Sequence, residues 1–288
     1  MFVITGITGK VGGIAARALL DRGQRVRAVV RDRRKAAAWI EQGCEVAEVP
    51  AMDDGVALTA AFEGADGVFL LNPPNYDPAP GFPDSHKVAT AFSAALEAAR
   101  PTHAVFLSSI GGHVPAFNLL NNAAIVEAEL RTNSVPVTML RPAWFMENAA
   151  GDVEAALDGA IRSYLQPLDR RLAMVSVQDI GRVVADLLMD TQIAPGVVEL
   201  EGPERFSATD LAAVFSKVLE RDVSVDAIPH EEWEAIFRAE GMRHPLARIK
   251  MLEGFGQGWL DFETPVADHR FGATSLETVV RKLVKRAS

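Results

Sequence analysis

The stretch Phe2-Val3-Ile4-Thr5-Gly6-Ile7-Thr8-Gly9-Lys10-Val11-Gly12 decides how the chain reads. Phe2 to Ile4 is a short apolar run of the kind that forms a buried strand. Glycines then recur at Gly6, Gly9 and Gly12, and each place has a physical reason. Gly6 permits a tight turn, Gly9 lets backbone approach a pyrophosphate, and Gly12 lets a helix pack close to the strand. Val11, Ile14, Ala15, Ala18 and Leu19 follow at helical spacing, with Gly23 as a stop. The helix N-terminus offers unpaired N–H groups and a partial positive charge to phosphates. Strand, glycine turn and amphipathic helix in this order predict a dinucleotide site, with Gly6, Thr8, Gly9, Lys10, Val11 and Gly12 as the contacting residues. The alternative is a glycine-rich turn with no ligand.

Outward from the turn, strand-like and helix-like runs alternate. Val26 to Val30, Cys44 to Val49, Gly67 to Leu71, Ala104 to Leu107 and Val137 to Leu140 read as strands. Lys35 to Gln42, Asp54 to Phe62, Val88 to Ala99 and Asn118 to Thr132 read as the helices between them, and a Pro-rich loop runs from Asn72 to Pro83. Such alternation predicts a parallel sheet covered on both faces, a Rossmann-type doubly wound α/β fold. After Pro142 the rhythm breaks. Ala149 to Asp158 looks helical, Arg162 to Arg171 irregular, Gln178 to Met189 helical, and Val197 to Leu200 strand-like. Ser207 and Asp210 frame a capping box, Val223 to Ile228 alternates like a strand, and Glu231 to Glu240 reads as a helix. The tail with Gly254, Gly256 and Gly258 resists assignment. The expected division is a sheet domain over 1–141, with 176–200 returning to it, and a smaller substrate lobe over 142–175 and 201–288.

The second strand ends in Val30-Arg31-Asp32. An acidic residue at this place binds the ribose hydroxyls of NAD, whereas an arginine binds the 2′-phosphate of NADP. Arg31 comes first, and Arg33, Arg34 and Lys35 follow, which favours NADP(H) over NAD(H). Asp32 keeps NAD open.

Composition sets the remaining bounds. The chain has 288 residues, a formal net charge of −9 and one cysteine, Cys44. Acidic charge is repelled by phosphate backbones, so no direct nucleic-acid partner is expected. A lone cysteine excludes an intrachain disulfide and fits a reducing cytoplasm. Strand-like sequence from Phe2 leaves no stretch for a signal peptide, and no apolar run approaches a membrane span. The six histidines show no metal-ligand spacing, so no metal site is expected. No Gly-x-Ser-x-Gly elbow is present.

The turn, the Val30-Arg31-Asp32 strand end, Leu107-Ser108-Ser109-Ile110-Gly111, Leu140-Arg141-Pro142-Ala143-Trp144-Phe145-Met146-Glu147-Asn148 and the Val177-Gln178-Asp179-Ile180 helix start together resemble the NmrA-like family of atypical short-chain dehydrogenase/reductases. The resemblance covers nearly the whole chain. It implies a Rossmann sheet with a small C-terminal lobe, and either quinone reduction by NADPH or redox sensing without turnover. The chain departs from the wider superfamily in three ways. The Tyr-x-x-x-Lys proton relay would fall on Leu119 and Ala123. The two tyrosines present, Tyr76 and Tyr164, have no lysine four residues on, and no lysine lies between Lys87 and Lys217. The lysine that isoflavone-reductase relatives use in the same region is also missing. An adenine-contacting aspartate after strand three would fall on Ala51, which leaves the backbone of Met52, with Asp53, to serve.

The remaining assignments follow from strand ends. Asn72, Pro73 and Pro74, then Ser108 and Ser109, then Pro142 fall on the cofactor side. Tyr76, Gly111, Trp144, Phe145, Asn148 and Trp259 fall on the acceptor side. Trp144 and Phe145 either stack on a flat acceptor or pack between lobes. Asn148 either meets ligand or caps a helix, and Trp259 either closes the pocket or joins the lobe's core. His113 is the one weak candidate for a proton donor, a surface loop histidine being the commoner outcome. The leading expectation is an NADPH-dependent reductase of a quinone or similar conjugated acceptor, by direct hydride transfer without a Tyr/Lys relay. The alternative is a non-catalytic NADP(H)-binding redox sensor. A homodimer or a regulatory protein partner stays open.

Overall fold

Apolar runs form buried strands at β1 (Phe2–Ile4), β2 (Val26–Val30), β4 (Gly67–Leu71), β5 (His103–Leu107) and β6 (Val137–Pro142), and the more polar β3 (Glu45–Glu48) takes the sheet edge. In the computed structural model, which describes residues 1–190 and 195–287, they share one eight-stranded sheet with Gly196–Glu201 and Arg270–Phe271. The order is Arg270–Phe271, Gly196–Glu201, β6, β5, β4, β1, β2, β3, with every neighbouring pair parallel. The order reverses between β1 and β4, which opens a crevice at the strand C-termini. This is the Rossmann-like α/β fold that the alternation predicts.

Successive strand residues feed opposite cores, as a period of two requires. Ile4, Ala28, Val30, Val105 and Leu107 face one core, which also holds buried residues of α1 (Lys10–Leu20) and of the helix Val177–Met189. Val3, Val29, Ala104 and Phe106 face the other, with α3 (Gly55–Phe62), α4 (Pro83–Ala99) and α5 (Asn121–Leu130). Phe69 and Phe106 are fully buried on opposite sides; truncating either to alanine costs about 3–5 kcal/mol.

Several boundaries differ from the sequence reading for local reasons. The helix expected over Lys35 to Gln42 starts earlier, as a 3-10 turn Arg33–Ala36 followed by α2 (Ala37–Glu41), because the Asp32 carboxylate accepts the Arg34 N–H. α4 begins at Pro83, the end of the expected loop, since proline at the first helical position has no hydrogen bond to lose. α5 begins three residues late because the Asn118 side chain accepts the Leu120 N–H at 2.7 Å and holds a turn there. The Ser207/Asp210 capping box is present, with reciprocal bonds of 3.0 and 2.9 Å, and starts the helix Ala208–Leu219.

The unassigned tail contains the helix Leu246–Gln257. Its glycines look like loop signals but mark close packing. A Cβ on Gly254 would press on Leu260, and one on Gly256 would collide with the Gln166 carbonyl; only Gly258, at φ +85°, ends the helix. The segment read as irregular begins in a strand, Ala160–Ser163, which takes in Arg162 and Ser163, and ends at the strand Leu172–Val175, with which Trp144–Phe145 pairs in parallel.

Residues 176–200 supply the helix Val177–Met189 and most of the strand beside β6, while 191–194 lie outside the described residues. Residues 201–288 return one strand, Arg270–Phe271, to the sheet edge. Among the described residues no helix is long and apolar enough to cross a membrane.

Candidate cofactor and acceptor cleft

The glycine turn is built by contacts that only glycine permits. Gly6 has φ +63°, and a Cβ there would collide with the Leu71 side chain. A Cβ on Gly12 would lie 2.5 Å from the Gly6 carbonyl oxygen, so α1 rests directly on the turn backbone. The Gly9 N–H donates to that same carbonyl at 2.9 Å. Thr5 is fully buried and stitches β1 to β4: its hydroxyl donates to Phe69 O and accepts from Leu71 N, both at 2.9 Å. Thr8, Gly9 and Lys10 stay exposed at the head of α1, whereas the side chain of Val11 is buried, which leaves only its backbone to face a ligand. Gly9 occupies the N-cap with no side-chain cap, and the first turn carries no acidic residue. A phosphate is the group such a bare helix start fits.

Beyond β2, Arg31, Arg33 and Lys35 are exposed, while Arg34 turns onto Asp32. Beyond β3, Asp53 is exposed and Met52 half-buried against the second core. Asp54 is taken up as the cap of α3, accepting Ala57 N at 3.0 Å. Pro73 and Pro74 are exposed after β4, and the Asn72 amide donates to Asn122 O at 3.3 Å. Pro142 is buried, with its carbonyl accepting Ile110 N at 2.9 Å.

A buried ionic cluster at the C-terminal end of β5 carries a residue that no motif marked. The Ser108 hydroxyl donates to Glu127 Oε1 at 2.5 Å. Arg141 grips the same carboxylate through Nε and Nη2 at 2.8 and 2.7 Å, and both side chains are buried. Burial pushes the Glu127 carboxyl up, but the bonds from Arg141 and Ser108 and the Arg141 charge outweigh it and hold it below the usual carboxylate range. Glu127 is therefore ionised, and the Ser108 proton is committed to it. To any further partner, Ser108 offers lone pairs only. Glu127 lies on α5 one turn beyond Ala123, and its partners Ser108 and Arg141 come from β5's end and from β6. Arg141 continues through Nη1 to Glu263 at 2.6 Å, and Glu199 accepts the N–H groups of Glu263 and Thr264, which anchors the segment after the helix Leu246–Gln257 to the sheet.

On the acceptor side, Gly111, Trp144 and Trp259 come together through the helix Leu246–Gln257. Trp144 meets Phe255 edge-on at 5.2 Å, Trp259 packs over Gly254, and Leu260 covers Gly111, whose φ is +72°. Phe145 is half-buried beside Trp144. Three expected residues stand apart. Tyr76 is 65% exposed. Asn148 is exposed inside the 3-10 helix Met146–Asp152 and caps nothing; its neighbour Glu147 instead accepts Ser176 Oγ and Val177 N at 2.8 and 2.9 Å. His113 is exposed beside a recess lined by Glu127, Arg131 and Arg141 and by none of the aromatic wall. Tyr164 packs on Trp233 and Phe237 at 5.7 and 5.0 Å. Among the described residues no group of three acidic, histidine or cysteine side chains is disposed to hold a metal.

Switch point, glycine turn and uncapped helix start define the doubly wound class of dinucleotide-binding folds. The NmrA-like family model matches residues 1–267, and the chain belongs to that family. It is 31% identical over 233 residues to the (4-alkanoyl-5-oxo-2,5-dihydrofuran-3-yl)methyl phosphate reductase of Streptomyces griseus, covering 79% of this chain and 77% of that one. It is 24% identical over 249 residues to quinone oxidoreductase 2 of Escherichia coli, covering 86% and 84%. The crystal structure of the Citrobacter sp. triphenylmethane reductase complexed with NADP(H) superposes with a TM-score of 0.80 at 21% identity, covering 100% and 99%.

Proposed function

We propose that the protein is an NADPH-dependent oxidoreductase that reduces a quinone or similarly conjugated small molecule, without a tyrosine–lysine relay. The observation that carries this reading is the pairing of a phosphate-ready glycine turn with an aromatic wall at Trp144, where the relay positions hold buried Leu119 and half-buried Ala123, neither able to donate a proton. NADPH, when bound, supplies the hydride. The turn backbone and the head of α1 hold its pyrophosphate, and Arg31 holds its 2′-phosphate. Ser108, its own proton engaged by Glu127, accepts a hydrogen bond and orients the group that donates it. Trp144 flanks a flat acceptor and keeps water from the reacting face. The acceptor gains the hydride and takes a proton from solvent, which a quinone oxygen can do without a protein acid. The named relatives support this choice, since quinones, oxo-dihydrofurans and triphenylmethane dyes are all unsaturated acceptors.

The test is a titration of the purified protein with NADPH and NADH, followed by nicotinamide fluorescence, and then addition of menadione. Tight NADPH binding followed by loss of its signal is the expected result. A signal that persists across a panel of quinones and enones overturns the reading in favour of a redox sensor.

A further inference from the structure

A cavity of about 440 Å³ opens where the Pro-rich loop after β4 meets the small lobe. That volume lies within the range of roughly 300–1,000 Å³ typical of small-molecule sites. Its apolar lining includes Phe82 and Phe117, whose ring centroids are 5.8 Å apart, together with Leu246 and Ile249. Single exposed apolar side chains are ordinary, but here Phe117 (48% exposed) and Leu246 (55%) face one recess. The recess is held open by design of the backbone: the Asp77 carboxylate accepts Arg243 N at 2.9 Å and His244 N at 2.6 Å, pinning the lobe to the loop.

Three segments run from the cleft to this cavity. The loop from β4 starts with Leu71 against Gly6 and ends at Phe82. The segment from β5 starts with Gly111 under Leu260 and ends at Phe117. The helix Leu246–Gln257 starts at the cavity and reaches Trp144 through Phe255, nine residues and about 14 Å along its axis. These segments tie the cavity to the aromatic wall, although no residue of that wall lines the cavity itself.

Its outer rim is cationic. The Glu234 carboxylate is taken by Arg238 at 2.8 Å, whereas Arg243 is 84% exposed and only 4.0 Å from Asp77. The unpaired N–H groups of the first turn of Leu246–Gln257 add partial positive charge on the same side.

We propose that this cavity is an outer acceptor subsite for an elongated, amphiphilic anion: an apolar aromatic or alkyl body in contact with Phe117 and Leu246, with a carboxylate, sulfonate or phosphate towards Arg243. Its role in turnover rests on the reductase reading, but its ligand chemistry does not, and the two are tested separately. The probes are 1-anilinonaphthalene-8-sulfonate and its uncharged analogue N-phenyl-1-naphthylamine, titrated into the full chain by fluorescence. The sulfonate is expected to bind saturably and several-fold more tightly than the uncharged compound, and Arg243→Ala to erase that difference. Leu246→Glu, which places an acidic residue at an exposed helix start that tolerates it, is expected to weaken the sulfonate at least tenfold while NADPH binding stays within twofold. Phe117→Ala, on a separate segment, serves as the second variant. Sulfonate binding unchanged in both variants overturns the site, and equal affinity for the two probes overturns its preference for anions. In quinone turnover the sulfonate is expected to compete with the acceptor and not with NADPH. Binding without that competition overturns the role as an acceptor subsite. A wild-type protein that turns over no acceptor removes the reductase reading and this role together, while the binding experiments still decide the site.

Discussion

Asp32 and Arg34 hold one another at the end of β2: the Arg34 backbone N–H, Nε and Nη2 all donate to the Asp32 carboxylate, at 2.9, 3.0 and 2.7 Å. The side-chain and backbone bonds from Arg34 hold the Asp32 carboxyl below its usual range, so it stays ionised and engaged. An exposed pair of this kind adds little stability. Its effect is to occupy the acidic group that would otherwise meet ribose hydroxyls, leaving Arg31, Arg33 and Lys35 open beside it. Arg34→Ala is expected to tighten NADH several-fold, narrowing the preference for NADPH. Arg34→Ala combined with Asp32→Asn is expected to lose that gain. Dissociation constants by nicotinamide fluorescence measure both; a single variant with unchanged NADH affinity would rule the latch out.

Arg31 carries the complementary expectation. Arg31→Ala should weaken NADPH at least tenfold and NADH less than twofold, because a guanidinium–phosphate contact exists for one cofactor alone. Equal losses for both cofactors would remove Arg31 from the 2′-phosphate.

Gly12→Ala places a methyl against the Gly6 carbonyl at 2.5 Å, a backbone contact that cannot swing aside. Loss of both NADPH and NADH binding by at least tenfold is expected, with the shift of α1 visible as amide perturbations over residues 5–13 by NMR.

Glu127→Gln removes the charge that neutralises buried Arg141 and takes the Ser108 proton. Breaking a buried pair from one side costs about 3 kcal/mol, measurable by urea unfolding. Ser108→Ala removes a smaller interaction and should cost about 1 kcal/mol, with any loss of turnover appearing in kcat.

Asp152 gives a prediction in pH. Burial pushes its carboxyl up from 3.8 to about 6. The unfolded chain therefore loses this proton first as pH rises, so folding stability falls between about pH 4 and 6 and the full penalty applies above pH 6. Asp152→Asn should add about 3 kcal/mol at pH 7.5 and almost nothing at pH 3.5. Equal melting shifts at the two pH values would contradict the assignment.

The strands that bear the site were legible because apolar runs of period two have few alternatives in a doubly covered sheet. β1, β2 and β4 fall on their expected residues. The glycine turn was legible because Gly6 takes a positive φ in a tight local turn and Gly12 answers to backbone only six residues away. Glu127 was not, since its meaning depends on Ser108 and Arg141, which the fold brings in from other elements. The helix Leu246–Gln257 was hidden for a related reason. Gly254 and Gly256 lower helix propensity, and the partners that require them, Leu260 and the Gln166 carbonyl, are invisible to local pattern.

That helix also sets a limit on how the protein can be changed. Replacing a helical glycine by alanine ordinarily stabilises a protein by about 0.4–1 kcal/mol. At Gly254 and Gly256 the same replacement would lever the helix away from Trp259, Leu260 and Gln166. Efforts to harden the enzyme, by selection or by engineering, meet here a stretch where loose-looking sequence is already the tightest fit, and thermostable variants should leave it untouched.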